Sequence, residues 1–255
     1  MIFNRKIDKS AIPTVNILGV YIAAINMPWL LDFVTKNIKE LSGDYICVSN
    51  VHTTVMASEN EEYKSIQNGG ILAIPDGGPL SAIGRYKGAL HMERTAGPSF
   101  MEEVLKLGGY RHFFYGSKED TLRKLSDNVK RDYPNSQIVG TYSPPFRELT
   151  ESEDRDILEI INESNPDFVW VGLGAPKQEK WMANHLGAVK GLMVGVGAGF
   201  DYLAGNINRA PMWMQKYNLE WLYRLVQDPQ RLFKRYLVTN IKFVIKILRN
   251  SVSMS

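Results

Sequence analysis

The sequence predicts an α/β fold, a mostly parallel sheet with helices on both faces, followed by a helical C-terminal appendage. Three observations carry that reading. Short β-rich runs alternate with helical patterns: NILGVYIAAI (16–25), YICVS (45–49), ILAIP (71–75), RHFFYG (111–116), SQIVG (136–140), DFVWVGL (167–173) and GLMVGVG (191–197). Several of these runs are almost wholly apolar rather than alternating, as strands are when helices cover both sides of a parallel sheet. After Gly205 the strand pattern stops and the rest reads as helix. The arrangement is doubly wound and Rossmann-like, with residues 1–204 as the α/β unit and 205–255 as the appendage.

Helix starts are legible between the strands. Asn26 can cap a helix with Pro28 in its first turn, and Pro98 follows Gly97 at the head of a helix running to about Lys106. Thr150-x-x-Glu153 before DILEII is a capping box. The loop at Tyr142-Ser143-Pro144-Pro145-Phe146 is stiff, either a lid edge or a plain connector.

Composition bounds the rest. A chain of 255 residues can bury a sizeable core, and 44% hydrophobic with 22% charged residues is ordinary for a globular protein. The net charge of +3 is unevenly placed. Residues 205–255 hold nine Lys or Arg against two acidic residues, a local +7 that leaves −4 for residues 1–204. A basic end on a mildly acidic body points to an anionic partner, nucleic acid or a membrane surface. The single cysteine, Cys47, lies in an apolar run and reads as a small buried hydrophobe compatible with a reducing cytoplasm. MIFNRKIDKS has no apolar core of a secretory signal. The longest uncharged stretch, Thr14 to Leu31, is broken by Asn16, Gly19, Asn26 and Pro28, which makes a poor membrane span.

Open α/β sheets bind ligands at the carboxyl ends of their strands. The unusual residues of this chain collect there. Asn50-Val51-His52 follows YICVS, Pro75-Asp76-Gly77-Gly78 closes ILAIP, and Gly116-Ser117 closes RHFFYG. Gly172 to Glu179 follows DFVWV, and Gly195 to Asp201 ends the last strand. Asp76 is the sharpest of these. A carboxylate between an apolar strand and two glycines can project into a cleft, where partial burial raises its pKa toward that of a general base. Spacing leaves a second role equally open, as cap of the helix beginning near Pro79. The glycine runs suit close approach to phosphate or tight strand–helix packing; neither completes a dinucleotide fingerprint. P-loop and G-x-S-x-G motifs are absent.

Metal signals are weak. His52, His91, His112 and His185 have no ligand spacing, and Asp154-Arg155-Asp156 falls inside a helix start, where carboxylates favour the helix dipole. The expectation is no metal and no cofactor. In the tail, Ile241, Val244, Ile245 and Leu248 share one helical face while Lys242, Lys246 and Arg249 share another. Read as a helix of about 15 residues, this is too short to span a bilayer. It suits an interfacial helix on anionic lipid or a helix docked on protein, and nucleic acid is disfavoured.

Taken together, SNVHTTVMAS, IPDGGPLSAIGR, RTAGPSFMEEVL, FFYGS, YSPPFRELTESED, WVGLGAPKQEKWM, VGVGAGFDYLAGNINRAPMW and LEWLYRLVQDPQRLFKRYL resemble the WecG/TagA/CpsF glycosyltransferase family, nearest its CpsF-like branch. The resemblance implies an inverting, metal-independent transferase. It would move a sugar from a uridine-diphosphate donor to an acceptor on polyprenyl diphosphate, during synthesis of teichoic acid, exopolysaccharide or related cell-surface polymers. It implies Asp76 as catalytic base. Asn50, His52, Gly116, Gly174, Gln178, Glu179 and Asp201 would line the substrate site, with Arg224 and Arg231 closing over the diphosphate. It places the protein in the cytoplasm, peripheral on the inner face of the cell membrane, and leaves a homo-oligomer open. Val48 stands where some relatives have a threonine, so Asn50 or His52 would take over that hydroxyl's task. The sugar stays open among N-acetylmannosamine, its uronic acid and glucose. Two other readings compete. A nicotinamide-dependent sugar-nucleotide oxidoreductase would need a Tyr-x-x-x-Lys pair, which Tyr86, Tyr142, Tyr223 and Tyr236 fail to form. A non-catalytic scaffold of a polysaccharide assembly complex would have no use for Asp76, Gln178 and Asp201.

Overall fold

The computed structural model describes residues 3–252; the side chains of Arg231 and of residues 250–252 lie outside that description. The chain opens with an antiparallel hairpin, β1 (Thr14–Ile17) and β2 (Val20–Ala23), and then α1 (Met27–Asn37). Next come β3 (Tyr45–Ser49), α2 (Val51–Glu59), α3 (Glu61–Gly69), β4 (Leu72–Pro75), α4 (Gly78–Tyr86) and α5 (Gly97–Leu107). The middle of the chain forms β5 (Arg111–Gly116), α6 (Glu119–Asp132), β6 (Gln137–Tyr142), α7 (Glu151–Glu163) and β7 (Phe168–Gly172). It continues with α8 (Lys177–Asn184), β8 (Leu192–Gly195) and α9 (Gly199–Leu203). The tail is helical: α10 (Met212–Lys216), α11 (Glu220–Gln227) and α12 (Pro229–Val252).

Six strands form one parallel sheet in the order β4-β3-β8-β7-β5-β6. The α/β, Rossmann-like expectation therefore holds, and a parallel sheet brings all its strand ends to one edge. Alternate strand residues feed two cores. Ile46, Val48, Ile74, Phe114, Trp170 and Val194 face α1, α5 and α6 on one side. Cys47, Ala73, Tyr115, Val171 and Met193 face α3, α7 and α8 on the other. Strands β3, β4, β5, β7 and β8 are thus apolar on both faces, which is why those sequence runs do not alternate, while the edge strand β6 is more exposed. Cys47 is fully buried and free, as expected.

Two elements differ from the sequence reading. NILGVYIAAI is not a sheet strand but the β1–β2 hairpin, a separate two-stranded unit. Leu18 and Gly19 take φ values of 53° and 90°, the left-handed geometry of a two-residue hairpin turn, and Asn16 Oδ1 accepts the Gly19 amide at 2.9 Å. The tail helix is also longer than the apolar stripe suggested. Pro229 opens it, and α12 runs for 24 residues, about 36 Å at the α-helical rise. Among the described residues no helix is long and apolar enough to cross a membrane. The helix starts follow the sequence signals: Asn26 Oδ1 caps α1, and Thr150 with Glu153 forms the capping box of α7. Asp154 sits in that first turn, with Oδ2 2.9 Å from His185 Nε2, a helix-start role rather than a strand-end one.

Candidate active site

Asp76 leaves the end of β4 with its backbone still tied to the sheet, its amide donating to Ser49 O at 2.7 Å. Helix α4 begins at Gly78 with Gly77 as N-cap and no side chain capping it. The cap role that spacing left open is not taken, and the carboxylate faces Arg94 instead. Its side chain is 22% exposed. Burial pushes its pKa up to about 6, with Arg94 pulling down, Glu220 pushing up, and Arg224 and Arg209 pulling down more weakly.

Those partners converge from distant parts of the chain. The segment before α5 runs beside the end of β4, with the Thr95 amide donating to Pro75 O at 2.7 Å. This sets Arg94 Nη2 3.7 Å from Asp76 Oδ1. Glu220, in the first turn of α11 and 7% exposed, accepts a close hydrogen bond from Arg94 Nη2. Arg209 donates to Glu102 Oε2 at 2.7 Å and to Ser99, with its Nε 4.0 Å from Glu220 Oε1. The Arg224 guanidinium lies 5.9 Å from the centre of the Tyr202 ring. Two clefts of about 300 Å³ share walls with this cluster. One includes Tyr202 and Arg209; the other includes Arg94, Arg85 and Lys216.

The other strand ends lie along the same edge. Asn50 caps α2, Oδ1 accepting from His52 N at 3.0 Å and Thr53 N at 3.2 Å. His52 Nδ1 is buried without a hydrogen-bond partner, and burial followed by the Arg235 charge lowers its pKa. Gly116 takes φ 118°, and an added Cβ would meet the Gly172 carbonyl carbon at 2.7 Å. Close packing of β5 against β7 thus requires that glycine. Gly174, at φ 75°, opens onto free space. Asp201, in the first turn of α9, accepts from Asn206 Nδ2 at 3.1 Å.

Gln178 and Glu179 point inward rather than into the cleft. Gln178 Oε1 accepts the amides of Gly174 at 3.2 Å and Gly197 at 3.1 Å, joining the loops after β7 and β8. Its Nε2 donates to Glu179 Oε1 at 2.8 Å. Glu179 is wholly buried, Oε2 has no hydrogen-bond partner, and burial pushes its carboxyl up. Beneath the end of β3, Ser49 Oγ donates to Gln67 Oε1 at 2.6 Å, and Gln67 Nε2 to Tyr63 Oη at 3.0 Å. Arg231 lies on α12, and its side chain is outside the described residues.

Of the sequence candidates, Asp76 and Arg224 meet in one cluster, while Asn50, His52, Gly116, Gly174 and Asp201 lie along the strand-end edge. Arg94, Glu220, Arg209 and Tyr202 escaped the sequence reading. None closes a strand, and each comes from a loop or helix whose path only tertiary packing sets. Among the described residues no group of three or more His, Cys, Asp or Glu is placed to hold a metal ion.

The fold and cluster define a class: an α/β protein with a partly buried carboxylate among cations, at the strand-end edge where such sheets bind ligands. Residues 15–255 match the glycosyl transferase WecG/TagA/CpsF family, and the chain belongs to that family. It is a glycosyltransferase. It is similar to the N-acetylglucosaminyldiphosphoundecaprenol N-acetyl-beta-D-mannosaminyltransferase of Bacillus subtilis strain 168, 32% identical over 83% of this chain and 82% of that one. The transferase of the same name from Bacillus spizizenii is 29% identical over 85% of this chain and 83% of its own. That from Staphylococcus aureus strain MW2 is 27% identical over 88% and 89%.

Proposed function

We propose that the protein transfers an N-acetylmannosaminyl residue from a uridine-diphosphate donor to N-acetylglucosamine carried on polyprenyl diphosphate, in cell-surface polysaccharide synthesis. Asp76 is the general base. The observation that carries this reading is the setting of Asp76, a partly buried carboxylate among Arg94, Arg209 and Arg224 at the strand-end edge, where burial raises its pKa. The acceptor hydroxyl gives its proton to Asp76 as its oxygen attacks the anomeric carbon. The bond to the nucleotide breaks, its electrons leave with uridine diphosphate, and the anomeric configuration inverts. Arg224 and Arg231, with the strand-end amides, neutralise the leaving diphosphate. The names of the relatives favour N-acetylmannosamine over its uronic acid or glucose.

The α/β unit of residues 1–204 binds the donor, and residues 205–255 bring it to the membrane. Support for the second part is the outer face of the appendage, where Trp213, Phe233, Leu237, Ile241, Val244 and Leu248 are all exposed. An apolar stripe on a basic segment suits the surface of an anionic bilayer, in keeping with a peripheral protein on the inner, cytoplasmic face. The cleft with Arg85, Arg94 and Lys216 adjoins α10, whose Met212 and Trp213 are exposed. Cations beside an apolar rim suit the acceptor's diphosphate and lipid.

The test is a transfer assay with uridine-diphosphate N-acetylmannosamine and a short-chain polyprenyl-diphosphate N-acetylglucosamine acceptor, with the glucose and uronic acid donors alongside. Asp76→Asn should lower turnover by at least about 10²-fold while uridine diphosphate still binds. Turnover near the wild-type rate in that variant overturns the assignment of the base.

A further inference from the structure

We infer that Glu220 is a positioning residue for the reaction: it holds the Arg94 guanidinium off Asp76, so that the Asp76 carboxylate stays available as a base. The inference rests on the reading of Asp76 as the base and adds to it a residue of the C-terminal appendage.

Arg94 stands between two carboxylates. It makes a close hydrogen bond to Glu220 Oε2 and only a long ion pair to Asp76 Oδ1, at 3.7 Å and beyond hydrogen-bonding distance. The site is largely shielded from water: Arg94 is 19% exposed, Asp76 22% and Glu220 9% at their side chains. In such a setting an Asp–Arg pair left to itself closes into a direct ion pair. A carboxylate in that state is a weak base, because the neighbouring cation stabilises its charged form. Glu220 competes for the same guanidinium and takes the shorter contact. Among the described residues, four charged groups and the Tyr202 hydroxyl of α9 enter this balance. Arg94 comes from the segment before α5, Arg209 from the segment before α10, and Glu220 and Arg224 from α11. Arg209 is also held at a distance, fixed by Glu102 and Ser99 with its Nε 4.0 Å from Glu220 and without a hydrogen-bond partner. Two guanidinium groups thus converge on Glu220 and neither hydrogen-bonds Asp76. The raised pKa of Asp76, to about 6, agrees with a carboxylate that has not been captured by its cation.

Glu220 lies 126 positions from Arg94 along the chain and in the first turn of α11. The protonation of the base therefore depends on the appendage being seated. Glu220 therefore acts on Asp76 in two ways, by its own charge and by its hold on Arg94, and both raise the titration of the base; a residue that served only packing would leave that titration unmoved.

The experiment uses the full chain and three forms: wild type, Glu220→Gln and the conservative Glu220→Asp. Two quantities are read: the pH profile of kcat/KM for transfer, and the 13C-carboxyl titration of Asp76, its resonance identified by its loss in Asp76→Asn. In Glu220→Gln the freed Arg94 is expected to close on Asp76. The Asp76 titration and the acid limb of the rate should both move down by about one pH unit, and kcat should fall about tenfold. Glu220→Asp should move both back toward wild type. Thermal melting checks that each variant is folded, and Glu220→Asp carries the test if Glu220→Gln is not, with smaller shifts in the same direction. An unchanged Asp76 titration in folded Glu220→Gln, or in Glu220→Asp where Glu220→Gln does not fold, overturns the inference. So does tighter uridine-diphosphate binding with an unchanged acid limb, which would make Glu220 a stand-in for the donor's diphosphate. If the Asp76 resonance shifts but the acid limb does not, the coupling stands and the reading of Asp76 as the base falls.

Discussion

Gln178 Oε1 accepts the Gly197 amide at 3.1 Å, fastening the loop after β8 to the first turn of α8. The same oxygen holds the Gly174 amide at 3.2 Å, so one buried side chain sets the spacing of two strand-end loops. Gln178→Leu would leave both amides without their acceptor and would also remove the donor to Glu179. Unmade buried hydrogen bonds cost about 1–3 kcal/mol each. The variant is expected to lose on the order of 2–4 kcal/mol in urea unfolding and to raise the donor KM more than it lowers kcat.

Asp76 should couple pH to both rate and stability. Its folded-state pKa of about 6 lies above the ordinary aspartate value of 3.8, so the folded state disfavours the charged form. Above pH 6 that cost is fully present; as the pH falls through 6 toward 4 it disappears. Asp76→Asn should therefore be more stable than wild type at pH 8, by on the order of 2–3 kcal/mol, with the two converging near pH 4. Urea unfolding at a series of pH values checks this. In the active protein, kcat/KM should fall as the pH drops below about 6.

The two faces of α12 should separate cleanly. Its inner face packs on the core through Phe243, 5% exposed and part of the cluster containing Cys47 and Met193. Lys242 Nζ lies 3.0 Å and Lys246 Nζ 3.6 Å from the carboxylate of Glu59 on α2. Val244→Glu with Leu248→Glu, both on the exposed face, should release the protein from vesicles rich in phosphatidylglycerol with little change in melting temperature. Phe243→Ala should instead cost about 3–5 kcal/mol of stability. Flotation and thermal melting distinguish the outcomes. Removing the tail outright would mix them, because it uncovers part of the core.

The cleft between α4 and α10 should report on the acceptor. Lys216→Glu places a negative charge beside Arg85 and Arg94. It is expected to raise the KM of the diphosphate acceptor by about tenfold, a charge-pair change of about 1.4 kcal/mol, and the donor KM much less. Steady-state kinetics with each substrate varied in turn gives the answer.

The sequence by itself determined the layered architecture and one side of the active site. A parallel sheet buried on both faces demands runs such as YICVS and DFVWV that are apolar throughout, and that demand is local and visible. Strand ends in such a sheet share one edge, so the glycines and polar residues closing them, Asp76 first, were legible as a crevice. The sequence could not show that NILGVYIAAI folds back at Leu18-Gly19, because a turn without Asn-Gly or Asp-Gly reads as a continuous strand. Nor could it show that Asp76 leaves α4 uncapped, that Gln178 and Glu179 turn inward, or that α12 buries Phe243 while exposing Ile241 and Val244. Tertiary structure alone decided the setting of Asp76. Its pKa depends on Arg94, Arg209, Glu220 and Arg224, far apart in the chain, and a charge acts through distance in space and burial, neither of which sequence spacing records.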